Sequence, residues 1–205
     1  MKIKLCGMFR ECDIDYVNEA LPDHTGFIVM FPKSHRNIDL ETALRLRSRL
    51  DKRVTPVAVS VNADLDEFAR YAQSGAADVL QCHGNEDAEY IARLRELAGV
   101  PIIKAVKVTC ATDIENADHL GADFLLLDSG TGSGLTFDHS LIPADIKTPF
   151  FLAGGLTPEN VREAALRIKP YGVDMSSGIE TNKRKDREKI LAAVKAVRGI
   201  REILP

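Results

Sequence analysis

The chain has 205 residues, 45% of them hydrophobic, enough for one domain, 1–205, with a full core. Its formal charge of −3 comes from signs mixed along the chain, which excludes the basic block that nucleic acid or an anionic membrane would need and points to a small-molecule partner. Cys6, Cys12, Cys82 and Cys110 lack zinc spacing and disulfide-scaffold density, so free thiols in a reducing compartment are expected. Met1 leads straight into the alternating Lys2, Ile3, Lys4, Leu5, and no run approaches the ~20 apolar residues of a membrane span, so a cytoplasmic protein is expected.

Eight short apolar runs alternate with segments of helical period, the mark of repeated β/α units and a parallel sheet. In chain order the strand predictions are Lys2 to Cys6, Gly26 to Phe31, Val54 to Val61, Asp78 to Cys82, Pro101 to Val106, Asp123 to Asp128, Phe150 to Ala153 and Gly172 to Met175. Helices are predicted at Ile14 to Ala20, Leu40 to Leu50, Leu65 to Ser74, Ala88 to Ala98, Asp113 to His119, Pro158 to Ile168 and Arg187 to Val197. The sixth connection reads poorly as a helix. Thr157-Pro158-Glu159 has the form of a cap followed by a first-turn proline, and Gly75 and Gly121 read as helix stops, each soon followed by an aspartate and the next strand. The fold class that fits is a single-domain α/β (β/α)8 TIM barrel. An open doubly wound sheet is the alternative, but eight parallel strands would make it large for this length, and no dinucleotide glycine fingerprint follows the first run.

In such a barrel, functional side chains sit where strands end and βα loops begin. Cys6 ends the first run, His83 and Gly84 follow the fourth, and Asp128 ends the sixth, an apolar strand in which it is expected to be buried. Alternation sends Ile3 and Leu5 outward and Lys4 and Cys6 inward, so Cys6 is expected to face the same cavity as Asp128. Taken singly, a strand cysteine could be inert core and the aspartate a turn residue. The glycines say more: Gly154-Gly155 follow the seventh run and Ser177-Gly178 the eighth, the loops that form the usual phosphate site of a barrel. The sixth loop, Ser129-Gly130-Thr131-Gly132-Ser133-Gly134, could close over a ligand or be a spacer. After the second run, Pro32-Lys33-Ser34-His35-Arg36 brings a guanidinium near the mouth, where its fork suits a carboxylate.

These pieces, with Lys4-Leu5-Cys6-Gly7, Gln81-Cys82-His83-Gly84, Gly132-Ser133-Gly134-Leu135-Thr136-Phe137-Asp138, Ala153 to Asn160 and Gly172 to Glu180, make the chain resemble the phosphoribosylanthranilate isomerases of tryptophan biosynthesis nearly end to end. The resemblance implies an internal Amadori rearrangement of N-(5-phosphoribosyl)anthranilate to 1-(2-carboxyphenylamino)-1-deoxyribulose 5-phosphate, with no cofactor and no metal. It implies Cys6 as general base, Asp128 as general acid, Arg36 on the anthranilate carboxylate, His83 and Asp174 on the substrate, and Gly154, Gly155, Ser177 and Gly178 on the phosphate. Phe9, His35, Cys82 and His139 depart from the family's usual residues and put the shape of the anthranilate pocket in question. Other phosphosugar barrels, or a barrel that binds phosphate without turnover, fit the phosphate loops alone. The expected partner is a phosphorylated small molecule, and a homodimer is left open.

Overall fold

The computed structural model describes residues 1–129 and 138–200. Eight parallel strands form a closed ring: β1 (Lys2–Cys6), β2 (His24–Val29), β3 (Thr55–Ser60), β4 (Val79–Cys82), β5 (Ile102–Lys107), β6 (Phe124–Asp128), β7 (Phe150–Leu152) and β8 (Gly172–Met175). Each pairs with its successor, and the ring shuts where Lys4 of β1 stands opposite Asp174 of β8. The expected (β/α)8 barrel is the fold. Among the described residues seven helices pack around it: α1 (Glu11–Ala20), α2 (Leu40–Arg49), α3 (Leu65–Gln73), α4 (Ala88–Ala98), α5 (Ala111–Asp118), α6 (Val161–Ile168) and α7 (Arg187–Arg198). None of the described helices is long and apolar enough to cross a membrane.

Local chemistry sets the boundaries. Asp39, Asp64, Asp87 and Asp186 precede α2, α3, α4 and α7, and each accepts the backbone N–H three residues on, at 2.8, 3.0, 2.8 and 3.2 Å. Gly75 and Gly121 take φ of +77° and +78° with open space around a would-be Cβ, so backbone conformation, not crowding, selects glycine there.

Several predicted ends move. β2 starts at His24 and stops at Val29, because Met30 adopts φ of +54° and turns the chain before Phe31. Helix α1 begins three residues early, where the buried Asp13 carboxylate accepts the N–H groups of Phe9 and Arg10. The predicted start of α6 at Pro158 is instead a turn over 158–160. There Thr157 N–H donates to Asn160 Oδ1 and Val161 N–H to Thr157 O. Among its described residues the sixth connection shows a 3-10 turn, His139–Leu141, and the glycine-rich stretch 130–137 lies outside the described residues.

The strand period divides the core in two. Ile3, Leu5, Leu80, Leu125 and Leu127 face the helices, while Val57, Val59, Ile103, Leu126 and Phe151 fill the barrel. Burying each such side chain contributes roughly 1.5–3 kcal/mol. Lys4 and Gln81 lie fully buried, and Asp174 nearly so, so ions as well as apolar groups occupy the interior. Such groups need partners, and the partners define the site.

Candidate active site

At the carboxyl ends of β7 and β8 the chain brings two loops together. Gly154 and Gly155 take φ of +83° and +65°, and a Cβ on Gly154 would sit 2.8 Å from Ser129 N and 3.0 Å from Asp128 Oδ1. A Cβ on Gly178 would run into Leu156 O, so this glycine lets the β8 loop lie against the β7 loop. Ser177 opens a short 3-10 turn, Ser177–Ile179. The main-chain N–H groups of Gly154, Gly155, Ser177 and Gly178 have no acceptor among the described residues. Gly154, Gly155 and Ser177 line a cavity of about 220 Å³ together with Arg36, Asp128 and Asp174. Unpaired amides on glycine loops form the kind of concavity that receives a phosphate.

Asp174 is buried and accepts a hydrogen bond from Lys4 Nζ at 2.9 Å. Burial alone would lower the Lys4 pKa, but the Asp174 carboxylate and Cys6 outweigh it and raise it, so the ammonium stays charged inside the barrel. Cys6 points inward as alternation requires, yet it does not line the 220 Å³ cavity. Only 6% exposed, it packs with Ala153 and Leu126 inside the barrel. Its neighbour is Gly26, whose Cβ would come within 2.7 Å of the sulfur. Burial pushes the thiol pKa up more than Lys4 and Lys185 pull it down. Cys6 thus faces the barrel interior as expected and keeps 6% exposure, in the same cluster as Ala153, which lines the cavity.

Asp128 does line the cavity, and its side chain is 25% exposed rather than buried, because the strand ends there and only its apolar predecessors are enclosed. His83 Nε2 lies 3.7 Å from Asp128 Oδ2, and His83 Nδ1 is 2.9 Å from Gln81 Nε2. Desolvation lowers the His83 pKa despite the Asp128 carboxylate, which favours the neutral ring. Beyond this pair opens a second cavity of about 710 Å³ lined by both His83 and Asp128, of which Asp128 also borders the first. Its floor holds the buried pair Lys104–Glu86, 3.0 Å apart, and Glu86 also accepts the N–H groups of Asn62 and Gly84. Those bonds fix the loop that carries His83.

Arg36 reaches the cavity over Gly7, where a Cβ would fall 2.6 Å from Arg36 Cδ. Its fork is not idle. Nε and Nη2 grip Glu180 Oε1 and Oε2 at 2.6 and 2.7 Å, and Lys185 Nζ joins Glu180 at 2.7 Å. Of the four departures from the family's usual residues, Phe9 and His35 meet edge to face 6.1 Å apart beside Arg36, while Cys82 turns into the helix-side core and His139 pairs with Arg167 outside the mouth. Only the first two bear on this side of the site.

The structure thus gathers Arg36, Asp128, Asp174, Gly154, Gly155 and Ser177 around one cavity, with Gly178 behind it, His83 next to Asp128 in the neighbouring cavity, and Cys6 in the barrel interior. Sequence reading missed Glu180 as a partner, and missed Lys185 and the Lys104–Glu86 pair altogether. Lys185 stands in the run Lys183-Arg184-Lys185-Asp186, which resembles a solvated helix start.

A family model described as N-(5'phosphoribosyl)anthranilate (PRA) isomerase matches residues 3–196. The N-(5'-phosphoribosyl)anthranilate isomerase of Endomicrobium trichonymphae is 43% identical over 204 residues, covering 97% of this chain and 99% of that one. Among solved structures, the phosphoribosyl anthranilate isomerase of Thermotoga maritima superposes with a TM-score of 0.88 at 35% identity, covering 97% of this chain and 99% of that one. Another, solved in complex with reduced 1-(o-carboxyphenylamino)-1-deoxyribulose 5-phosphate, gives 0.82 at 31% identity over 97% of this chain and 99% of that chain. Fold, loop glycines and sequence agree over nearly the whole length, and the chain belongs to the N-(5'-phosphoribosyl)anthranilate isomerase family.

Proposed function

We propose that the chain converts N-(5'-phosphoribosyl)anthranilate to 1-(2-carboxyphenylamino)-1-deoxyribulose 5-phosphate, with Asp128 as general acid and Cys6 as general base. The observation that supports it best is one cavity, at the carboxyl ends of the strands, that combines loop-glycine amides for a phosphate, a carboxyl group and a guanidinium. The substrate carries the complementary groups in the same order: phosphate, sugar and aromatic carboxylate.

The proton work divides in three steps. Asp128 protonates the furanose ring oxygen as the C1–O bond breaks, which leaves an open-chain iminium. Cys6 takes the C2′ proton and the iminium becomes an enolamine. The enolamine then gains a proton at C1 and loses one from the C2′ hydroxyl to give the ketone, so the atoms balance without an added oxidant or reductant. The iminium brings positive charge toward a thiol that burial otherwise holds protonated, and Lys4 adds a second cation, so the thiolate is favoured when it is needed. Asp174, with Oδ1 committed to Lys4, offers its other oxygen to a sugar hydroxyl, and neutral His83 serves a second hydroxyl near Asp128.

Purified protein mixed with freshly prepared substrate and a chelator should form the ribulose product, and absence of conversion in a folded sample would refute the assignment. A homodimer is part of the proposal, because a similar structure of 34% identity is of monomers generated from the dimeric isomerase of Thermotoga maritima. Light scattering should then read twice the 22.5 kDa of the chain.

A further inference from the structure

Lys185 is a lysine with a fully buried side chain in a stretch of charged residues. A small hairpin puts it there: Glu180–Thr181 pairs antiparallel with Arg184–Lys185, and Asn182 and Lys183 both turn with positive φ, the backbone of a tight two-residue turn. Glu180 and Lys185 face each other across it. Lys185 Nζ donates to Glu180 Oε1 at 2.7 Å and to Ser176 O at 2.9 Å. Glu180 in turn holds the Arg36 fork.

Buried ion triads are weak stabilisers, because desolvation consumes most of the attraction, so stability alone gives this one little reason to exist. Its outer member lines the substrate cavity. A guanidinium has five N–H groups, and the Glu180 grip occupies Nε and one N–H of Nη2. The edge formed by Nη1 and the second N–H of Nη2 is a second fork of the same geometry.

We infer that Glu180 and Lys185 are positioning residues for substrate recognition: Glu180 locks Arg36 with its second edge toward the cavity, and Lys185 ties that lock to the phosphate loop through Ser176 O. This rests on the reading of Arg36 as the carboxylate grip. Ser176 precedes Ser177 and Gly178, so one buried ammonium sets the separation of the substrate's two anionic ends. Preorganising both ends spares the ordering cost at each turnover.

The test compares Arg36→Ala, Glu180→Gln, Glu180→Asp, Lys185→Met and the double variant Glu180→Gln/Lys185→Met in the full chain. Readouts are kcat, KM, and inhibition constants for free anthranilate and for inorganic phosphate. Glu180→Gln should raise KM and the anthranilate constant about tenfold, with kcat within about threefold and the phosphate constant within about twofold. Glu180→Asp, which keeps the charge, should recover part of that loss. Lys185→Met should raise both inhibition constants. If Lys185→Met fails to fold because Glu180 is stranded, the double variant, which leaves no unpaired carboxylate, should show the same loss on both probes. Unchanged anthranilate and KM values in Glu180→Gln, or equal loss on the phosphate probe, would overturn the inference. If Arg36→Ala itself leaves the anthranilate constant unchanged, the carboxylate grip is what fails.

Discussion

The Lys4 ammonium lies 2.9 Å from Asp174 Oδ1 where β1 meets β8 and the barrel closes. Lys4 is fully buried and Asp174 is 8% exposed, so removing the cation leaves a carboxylate without compensation in the interior. Lys4→Met should destabilise the fold by about 3–5 kcal/mol, read as a lower urea midpoint with an unchanged slope. A loss under about 1 kcal/mol would show that water or another group replaces the pair.

Thiol chemistry distinguishes the cysteines. Cys82 is fully buried and its pKa is pushed up to about 12, chiefly by desolvation, so it should resist alkylation and need not be replaced before Cys6 is probed. The cysteines that compete for reagent are Cys110, which is exposed, and the half-buried Cys12. In a Cys12→Ser/Cys110→Ser background, iodoacetamide should label Cys6 alone, with loss of turnover in step. The rate should climb about tenfold per pH unit from pH 7, because burial keeps the thiol protonated there. Labelling at Cys82 in mass spectra would contradict this.

His24 couples the fold to pH. At the start of β2 its pKa is lowered from 6.5 to about 4, by burial first and then by Lys4, and its Nδ1 finds no partner among the described residues. A histidine with a depressed folded pKa contributes stability that is complete above the unfolded value and is lost as pH falls toward the folded one. The window is therefore pH 6.5 down to 4, and the loss about 3 kcal/mol at most. His24→Leu should flatten the urea-midpoint profile across that window. A profile with the same slope in both proteins would assign the effect to other groups.

Gly178 tests the phosphate cradle. An alanine there meets Leu156 O and forces the β7 and β8 loops apart. Gly178→Ala should raise the dissociation constant for inorganic phosphate at least about tenfold with the barrel still folded. Unchanged phosphate affinity would move the site elsewhere.

How much of this was legible in the sequence depends on range. Strands buried on both faces read as continuous apolar runs, which is why Phe124-Leu125-Leu126-Leu127 and Phe150-Phe151-Leu152 were found, and loop glycines announce themselves because positive φ and close approach admit little else. Boundaries set by one side chain's reach were not: Asp13 extends α1 backward, and Met30 ends β2 by a backbone turn that no residue type advertises. Burial at a strand end depends on the loops around it rather than on the strand's own residues. The last residue of an apolar strand, Asp128, emerges into the mouth, whereas Cys6 stays below it. Arg36 and Glu180 are 144 residues apart, and only the closed barrel makes them neighbours. A single sequence carries no local signal for such a pair.

The division of proton work is tested most directly by the turnover of Cys6→Ala, measured beside Asp128→Asn and with phosphate binding as the control for an intact site. General acid and base steps each contribute typically ~10²–10⁴-fold, so each variant should lose at least about a hundredfold in kcat while its phosphate affinity stays within about twofold of the parent. A folded Cys6→Ala protein that turns over within tenfold of the parent would contradict the assignment of Cys6 as the base.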